Sequence, residues 1–294
     1  MAVYNDIVFE VALKNECIIE NKLDADILYF NAEITNHIVT WFREVIEKIS
    51  FQNNKQETPK EALVIVLTTP GGLVEPVEKM VEIARYHYKL LYFVIPDMAM
   101  SAGTIFCMAG DKIYMDYSSS LGPIDPQVED KEGRGLIPAL GYIDKVDEFI
   151  EKSKNRNISP VEYDWAMRQD IGWIKTIEKA RDLSHDLLKR WLVEYKFKDW
   201  KVHNTDAEKK GHKVTLEEKR ERAQQIASHL SDYAHWHSHG RMIGMQKLKK
   251  ECFLKIDDFG LDKDLQKSIR LYSDSLTDYM LRLNYKALLY SRKL

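Results

Sequence analysis

Between residues 63 and 67 the chain runs Leu-Val-Ile-Val-Leu without a polar side chain, then breaks at Thr68-Thr69-Pro70-Gly71-Gly72. A strand that is apolar at every position suits a sheet covered on both faces. After the break, Leu73, Val74, Val77, Met80, Val81 and Ala84 fall on one helical stripe. The same unit occurs on either side. Residues 27–30 form a short apolar run, and residues 31–50 then show a helical period through Ile34, Ile38, Trp41, Val45 and Ile49. Residues 90–95 form another strand, ended by Pro96, and residues 101–109 read as a short helix of small side chains before a strand at 112–115. Strand and helix in alternation predict a mainly parallel sheet with helices on its faces, an α/β fold. The first 25 residues are weakly patterned, and residues 52–60 and 117–127 read as loops.

The second half differs. From about residue 144 it is helical and charge-rich, with 171–195 the clearest long helix and 196–213 a polar connector. Thr215 and Glu218 carry the signature of a capping box. Near the end, Leu265, Ile269, Tyr272, Leu276, Tyr279 and Leu283 step by four and three. That stripe packs on its own domain or forms a coiled-coil-like seam with another chain. The division expected is a core over 1–135, a helical insertion with a return to the core over 136–260, and a C-terminal amphipathic helix over 261–294.

A chain of 294 residues buries a full core without disulfides or metal. Lys and Arg total 43 against 46 Asp and Glu, a net charge of -3, so no basic surface for nucleic acid is expected. Cys17, Cys107 and Cys252 are too scattered for a disulfide framework or zinc spacing, which suits a reducing compartment. Asp6 and Glu10 argue against a signal peptide, and Pro96, Asp97, Ser101 and Gly103 interrupt the best candidate for a membrane span. A cytoplasmic location follows.

Two segments carry chemistry. In Pro70-Gly71-Gly72 the paired glycines allow a sharp turn and close approach of a ligand to the main chain, where a helix is about to begin. The plain alternative is a strand-to-helix turn with no further role. In Met98-Ala99-Met100-Ser101-Ala102-Gly103-Thr104, Ser101 stands at the C-terminal edge of a strand, where open α/β sheets place their ligands. The plain alternative is that Ser101 caps the helix. Right-handed crossovers set the two segments side by side, so a nucleophile from one and oxyanion donors from the other form a workable acyl-transfer site.

Thr69-Pro70-Gly71-Gly72, Met100-Ser101-Ala102-Gly103-Thr104 and Leu121-Gly122-Pro123-Ile124-Asp125-Pro126-Gln127, in that order, resemble the ClpP-like serine peptidases. The chain is most similar to the serine dehydrogenase proteinase family, relatives of signal peptide peptidase SppA, with the densest match over 27–127. The resemblance implies the ClpP/crotonase spiral fold, a homo-oligomer, Ser101 as nucleophile, and an oxyanion hole from backbone N–H groups at Gly71 or Gly72 and at Ala102. ClpP itself pairs its serine with a histidine that would fall near Ile124 and Asp125, where this chain has none. SppA-like relatives use a lysine on or before a later helix. Lys179, in Glu178-Lys179-Ala180, is the favoured base, with Lys175 one turn earlier and Lys145 as further candidates. Such a lysine must be desolvated to serve as a base near neutrality.

The stretch Ser238-His239-Gly240-Arg241 carries a fainter likeness, and His239 has an orienting or a structural role. His229, His235, His237 and His239 cluster in sequence, but no acidic or cysteine partner stands at ligand spacing, so no metal and no cofactor are expected. The expectation is a serine peptidase with a Ser-Lys dyad, ATP-independent in itself because no Walker A motif follows Gly71-Gly72. Its partners would be a peptide or protein substrate, further copies of itself and a separate regulatory protein. The alternatives are an inactive scaffold or peptide-binding protein on the same fold, and a crotonase-like acyl-CoA enzyme, which the absence of an acid beside Ser101 disfavours.

Overall fold

The structure is a computed structural model that describes residues 2–124, 127–129, 136–138, 140–203 and 208–294. Asp125 and Pro126 of the third motif lie outside the described residues. The helices are α1 (Ala2–Leu23), α2 (Asn36–Asn53), α3 (Glu75–His87), α4 (Ala102–Met108), α5 (Leu140–Lys154), α6 (Pro160–Met167), α7 (Ile171–Trp191), α8 (Leu216–Leu230), α9 (Tyr233–Trp236), α10 (Met245–Lys250) and α11 (Lys263–Arg282). The strands are β1 (Ala25–Asn31), β2 (Ala62–Thr68), β3 (Leu90–Val94), β4 (Met98–Ala99), β5 (Lys112–Met115), β6 (Ser120–Leu121), β7 (Gln127–Glu129), β8 (Leu136–Pro138), β9 (Ile243–Gly244), β10 (Asp257–Asp258) and β11 (Leu288–Tyr290).

The main sheet has six strands in the order β10-β5-β3-β2-β1-β11. All neighbours run parallel except β11, which lies antiparallel to β1. The chain thus has the mixed α/β, mostly parallel architecture that its strand-helix alternation predicts. A small sheet, β4-β6-β9, stands beside it, and β7 and β8 form a hairpin pair.

The unbroken apolar strands serve two cores at once. Leu28, Phe30, Leu63, Ile65, Leu67, Leu91 and Phe93 join one core with residues of α2, α3, α4, α7 and α8. The residues between them, Ile27, Tyr29, Val64, Val66, Tyr92 and Val94, join a second core with α1 and α11. Because strand side chains alternate faces, a sheet buried on both sides needs an apolar residue at every position. Each fully buried Leu, Ile, Val or Phe contributes about 1.5–3 kcal/mol.

Two elements depart from the pattern read in sequence. Helix α1 is a long helix where weak patterning is expected. Its buried face carries Glu16 beside Ala12 and Ile19, and a carboxylate in the stripe hides the period. Glu16 accepts hydrogen bonds from the Tyr272 and Ser291 hydroxyls, 3.0 Å each, and from the Arg292 N–H at 2.9 Å. Helix α2 begins at Asn36 rather than near residue 31. Asn31 is still paired on β1, and the Ile34 N–H donates to Gly71 O at 2.8 Å, so this stretch is bound as extended chain.

The remaining helices follow their signals. The Thr215–Glu218 capping box forms at the start of α8. The regular part of α7 stops at Trp191 and continues as a π-helical turn, Leu192–Lys196. In α11 the stripe residues Leu265, Ile269, Tyr272, Leu276 and Tyr279 are buried, and the helix packs along α1. Cys17, Cys107 and Cys252 are free thiols. Among the described residues no helix is long and apolar enough to cross a membrane.

Candidate active site

The two chemically suggestive turns meet above the sheet. Beyond Pro96-Asp97 the chain leaves the main sheet as β4. There the Thr69 N–H donates to Met98 O and the Met100 N–H donates to Thr69 O, both at 3.0 Å. These bonds lace the turn after β2 to the segment that leads into Ser101. Gly71 and Gly72 sit at φ +106° and +136°, conformations that glycine adopts at little cost. Space forbids a side chain as well. A Cβ on Gly72 would lie 2.1 Å from Ile34 O, and one on Gly71 would lie 2.9 Å from both Met100 O and Ser101 Cβ.

Ser101 has φ 49° and ψ −113°, far from the conformations usual for a residue with a side chain. Holding it there costs about 1–3 kcal/mol, which the surrounding structure must supply. Its side chain makes no capping bond to α4, so the plain capping role is not the one it plays. A strained strand-to-helix turn of this kind presents the nucleophile in α/β-hydrolases.

The backbone donors near Ser101 fall into two groups. Gly103 N–H donates to Met100 O at 2.8 Å, and Thr104 and Ile105 N–H donate to Ser101 O at 2.9 and 3.2 Å. Gly71 N–H donates to Thr69 Oγ1 at 3.1 Å. Among the described residues no acceptor takes up the N–H of Gly72 or of Ala102. Of the three expected oxyanion donors, these two are therefore available.

Thr104 has a place that its position in the motif does not reveal. Fully buried, its hydroxyl stands 2.9 Å from both Ala99 O and Gly122 O and accepts the Gly122 N–H at 3.0 Å. It pins the third motif to the base of the Ser101 turn. Gly103 is needed beside it, because a Cβ there would lie 2.4 Å from Thr69 Cγ2. Two residues beyond Gly122, the Ile124 N–H donates to Leu230 O at 2.9 Å, tying the loop to the end of α8.

The candidate bases are less closely held. Lys175 and Lys179 stand on the exposed face of α7. Leu187, Leu188 and Trp191, roughly two to four turns further along that helix, join the core that includes α4. Lys175 is ion-paired with Glu178 at 2.5 Å, a contact that raises its pKa. Lys145 is likewise exposed and paired with Glu148 at 2.7 Å. The desolvation expected of a lysine base is thus not present at these positions within one chain. Burial instead acts on Lys196, pushing its amine down to about 8 against the opposing charge of Asp257. Asp111, which follows α4, adds to that opposing charge, and Lys196 thus sits beyond the end of α4 that is remote from Ser101. His239 is half-buried and precedes β9, the strand that joins β6 and β4 in the small sheet.

A model of the family described as ClpP-like SDH-type serine proteinase matches residues 44–232. Among curated proteins, the uncharacterized protein MJ0137 of Methanocaldococcus jannaschii is 30% identical over 147 residues, 47% of this chain and 50% of the relative. A second protein of that organism, MJ1495, is 28% identical over 143 residues, 48% of this chain and 44% of the relative. The chain spans about half the length of the curated relatives it matches. Among solved structures, a mutant of the 1510-N membrane-bound stomatin-specific protease aligns with a TM-score of 0.44 at 14% identity over 79% of each chain. ClpP1 from Listeria monocytogenes aligns with a TM-score of 0.39 at 10% identity, over 83% of this chain and 99% of that one.

Proposed function

Because the chain belongs to the family of ClpP-like SDH-type serine proteinases, we propose that it hydrolyses peptide bonds through an acyl-enzyme on Ser101. The observation that carries this reading is the strained Ser101 backbone set directly against Gly71. Ser101 Oγ attacks the scissile carbonyl carbon and gives its proton to a base. The N–H groups of Gly72 and Ala102 stabilise the oxyanion, and the leaving amine departs with a proton returned from that base. Water then cleaves the ester by the same route.

The base in this proposal is Lys179. Glu178 favours the charged form of Lys175, which makes that neighbour the poorer proton acceptor. An exposed lysine becomes a base near neutral pH only when its face is covered. The working form is accordingly a homo-oligomer, in which another copy or the bound peptide shields α7. Substrates are peptides or unfolded segments, ATP is not consumed by this chain, the location is cytoplasmic, and a separate protein regulates entry. The exposure of Lys175 and Lys179 also favours a second reading, an inactive scaffold that binds peptides without cleaving them.

A fluorophosphonate probe distinguishes the two. The peptidase reading expects the assembled wild type to label, Ser101→Ala not to label, and Lys179→Ala to lose labelling while remaining folded. A folded, assembled wild type that stays unlabelled across the pH range sinks the peptidase reading in favour of the scaffold. Labelling that survives in Ser101→Ala puts the nucleophile elsewhere.

A further inference from the structure

The histidines between residues 229 and 239 have no acidic partner at ligand spacing in sequence, but the fold brings one to them. His229 lies in the last turn of α8, His235 on α9, and Glu251 at the C-cap of α10. Nε2 of His235 is 3.3 Å and Nε2 of His229 is 3.4 Å from the same carboxylate oxygen, Oε2 of Glu251. The ligating atoms of all three residues lie within 4.8 Å of one another. We propose that His229, His235 and Glu251 bind a divalent transition-metal ion of the zinc class, with water completing the coordination.

The spacing is that of ligands around a common centre. Zinc bonds to imidazole nitrogen and carboxylate oxygen are about 2.0–2.2 Å, and tetrahedral geometry then sets donor atoms roughly 3.3–3.5 Å apart. Both distances to Glu251 Oε2 fall in that range. Nitrogen-to-oxygen hydrogen bonds usually run about 2.7–3.2 Å, so the hydrogen bond between His235 and Glu251, at 3.3 Å, is a long one. His229 Nε2 is buried and makes no hydrogen bond of acceptable geometry, although the carboxylate is its neighbour. A buried ring nitrogen directed at a carboxylate without bonding to it is costly alone and natural around a cation. Two imidazoles and one carboxylate, with a position left open, form a recurrent zinc set.

The rings are also held in place. Trp236, 1% exposed, meets His229 and His235 edge-on at centroid distances of 5.2 and 4.5 Å. Its Nε1 donates to the backbone carbonyl of His229 at 2.7 Å. The His235 N–H donates to Asp232 Oδ1 at 2.9 Å, fixing the start of the turn that carries that ring. The three ligand side chains remain 27%, 43% and 34% exposed, so an ion and its water have access. Lys247 is a cation near Glu251. Its ammonium stands over the Trp236 ring, 5.6 Å from the centroid, rather than in a salt bridge with Glu251. Among the described residues no other group of three such side chains converges.

Two of the three ligands, His235 and Glu251, lie beyond the segment matched by the family model. The ion would cross-link α8, α9 and the end of α10. Leu230, next to His229, accepts the N–H of Ile124. The ion therefore acts as a structural clip behind the loop that Thr104 holds beside Ser101, and takes no part in bond cleavage.

The test is a titration of the untagged, chelator-treated full chain with Co2+ and then Zn2+. The expected result is one equivalent of Co2+ with the visible absorption of a tetrahedral site, displaced by one equivalent of Zn2+. His235→Ala and Glu251→Gln, both at partly exposed positions, are expected to weaken binding beyond the roughly 10–100-fold typical of losing a supporting residue. His237→Ala, at an exposed histidine outside the cluster, is expected to leave binding unchanged. The assignment is overturned if the wild type binds less than one equivalent, if it binds no more tightly than His235→Ala, or if His237→Ala costs as much. The wild-type titration decides the matter even if a variant fails to fold, and none of its outcomes depends on whether Ser101 is reactive.

Discussion

A Cβ on Gly71 would stand 2.9 Å from the Cβ of Ser101, so the turn after β2 and the turn into α4 are in direct contact. Gly71→Ala must both adopt a positive φ and push Ser101 or Met100 aside. We expect it to cost more than ~1 kcal/mol in stability. Displacing Ser101 by even an ångström should slow fluorophosphonate labelling on the order of 100-fold. Urea unfolding and labelling rates, measured side by side, check both parts. Labelling at the wild-type rate would mean that the contact does not position the serine.

Thr104 tests the link between the Ser101 turn and the loop at Gly122. Thr104→Val keeps the shape and removes the hydroxyl, leaving the Gly122 N–H and two carbonyls without it. The expected loss is about 1–3 kcal/mol in urea unfolding. Thr104→Ser, which keeps the hydroxyl, should recover most of that loss. Equal stability of the Val and Ser variants would show that the hydroxyl contributes nothing.

Glu16 should give the fold an unusual pH dependence. Burial pushes its carboxyl up to about 7 from 4.5, against the Arg292 N–H that holds it down, and the charge of Glu20 adds to the rise. Between those two values the folded chain holds this proton more tightly than the unfolded chain does. Stability from this group is therefore full at the acid side, falls as pH rises through the window, and levels off above it. The total is on the order of 3 kcal/mol. Glu16→Gln fixes the neutral form and should remove this contribution. The check is the wild-type-minus-variant difference in denaturation midpoint at about pH 5 and about pH 8. An identical difference at both would overturn the assignment.

Arg270 neutralises the fully buried side chain of Asp116, with Nη2 at 2.6 Å from each carboxylate oxygen, while Gln266 Nε2 adds a bond at 3.1 Å. Removing one partner of a buried pair leaves an uncompensated charge, so Arg270→Ala should cost about 3–5 kcal/mol. Adding Asp116→Asn should return part of it. A double variant no more stable than Arg270→Ala would place the loss in packing rather than charge.

What could be read from the sequence was local. An apolar run followed by Pro-Gly-Gly marks a buried strand and its end, so β2 and the stripe of α3 were legible. So was the order of the Gly71-Gly72 and Ser101 turns, and crossover handedness brought them together. The unread parts depend on distant partners. The stripe of α1 contains Glu16, whose burial makes sense only beside Tyr272, 256 residues away. Glu251 lies 16 residues after His235, and the chain folds back through β9 and α10 to bring them together. The role of Thr104 rests on Gly122 O and Ala99 O, neither of which a helical pattern announces. Helical spacing places Lys175 and Lys179 on one face but says nothing of what covers it.

The pairing of α1 with α11 has a consequence for how the chain is made. During synthesis α1 and the edge of β1 leave the ribosome long before Tyr272 and Leu288–Tyr290 exist to cover them. At about 5–20 residues per second the gap of 256 residues lasts roughly 10–50 s. Throughout that interval the nascent chain shows an apolar helix face and the unpaired edge of β1 that β11 later takes, the kind of surface that makes a partly folded chain prone to aggregate. Closure of this side of the sheet is therefore timed by the arrival of α11 rather than by the strands that α1 precedes.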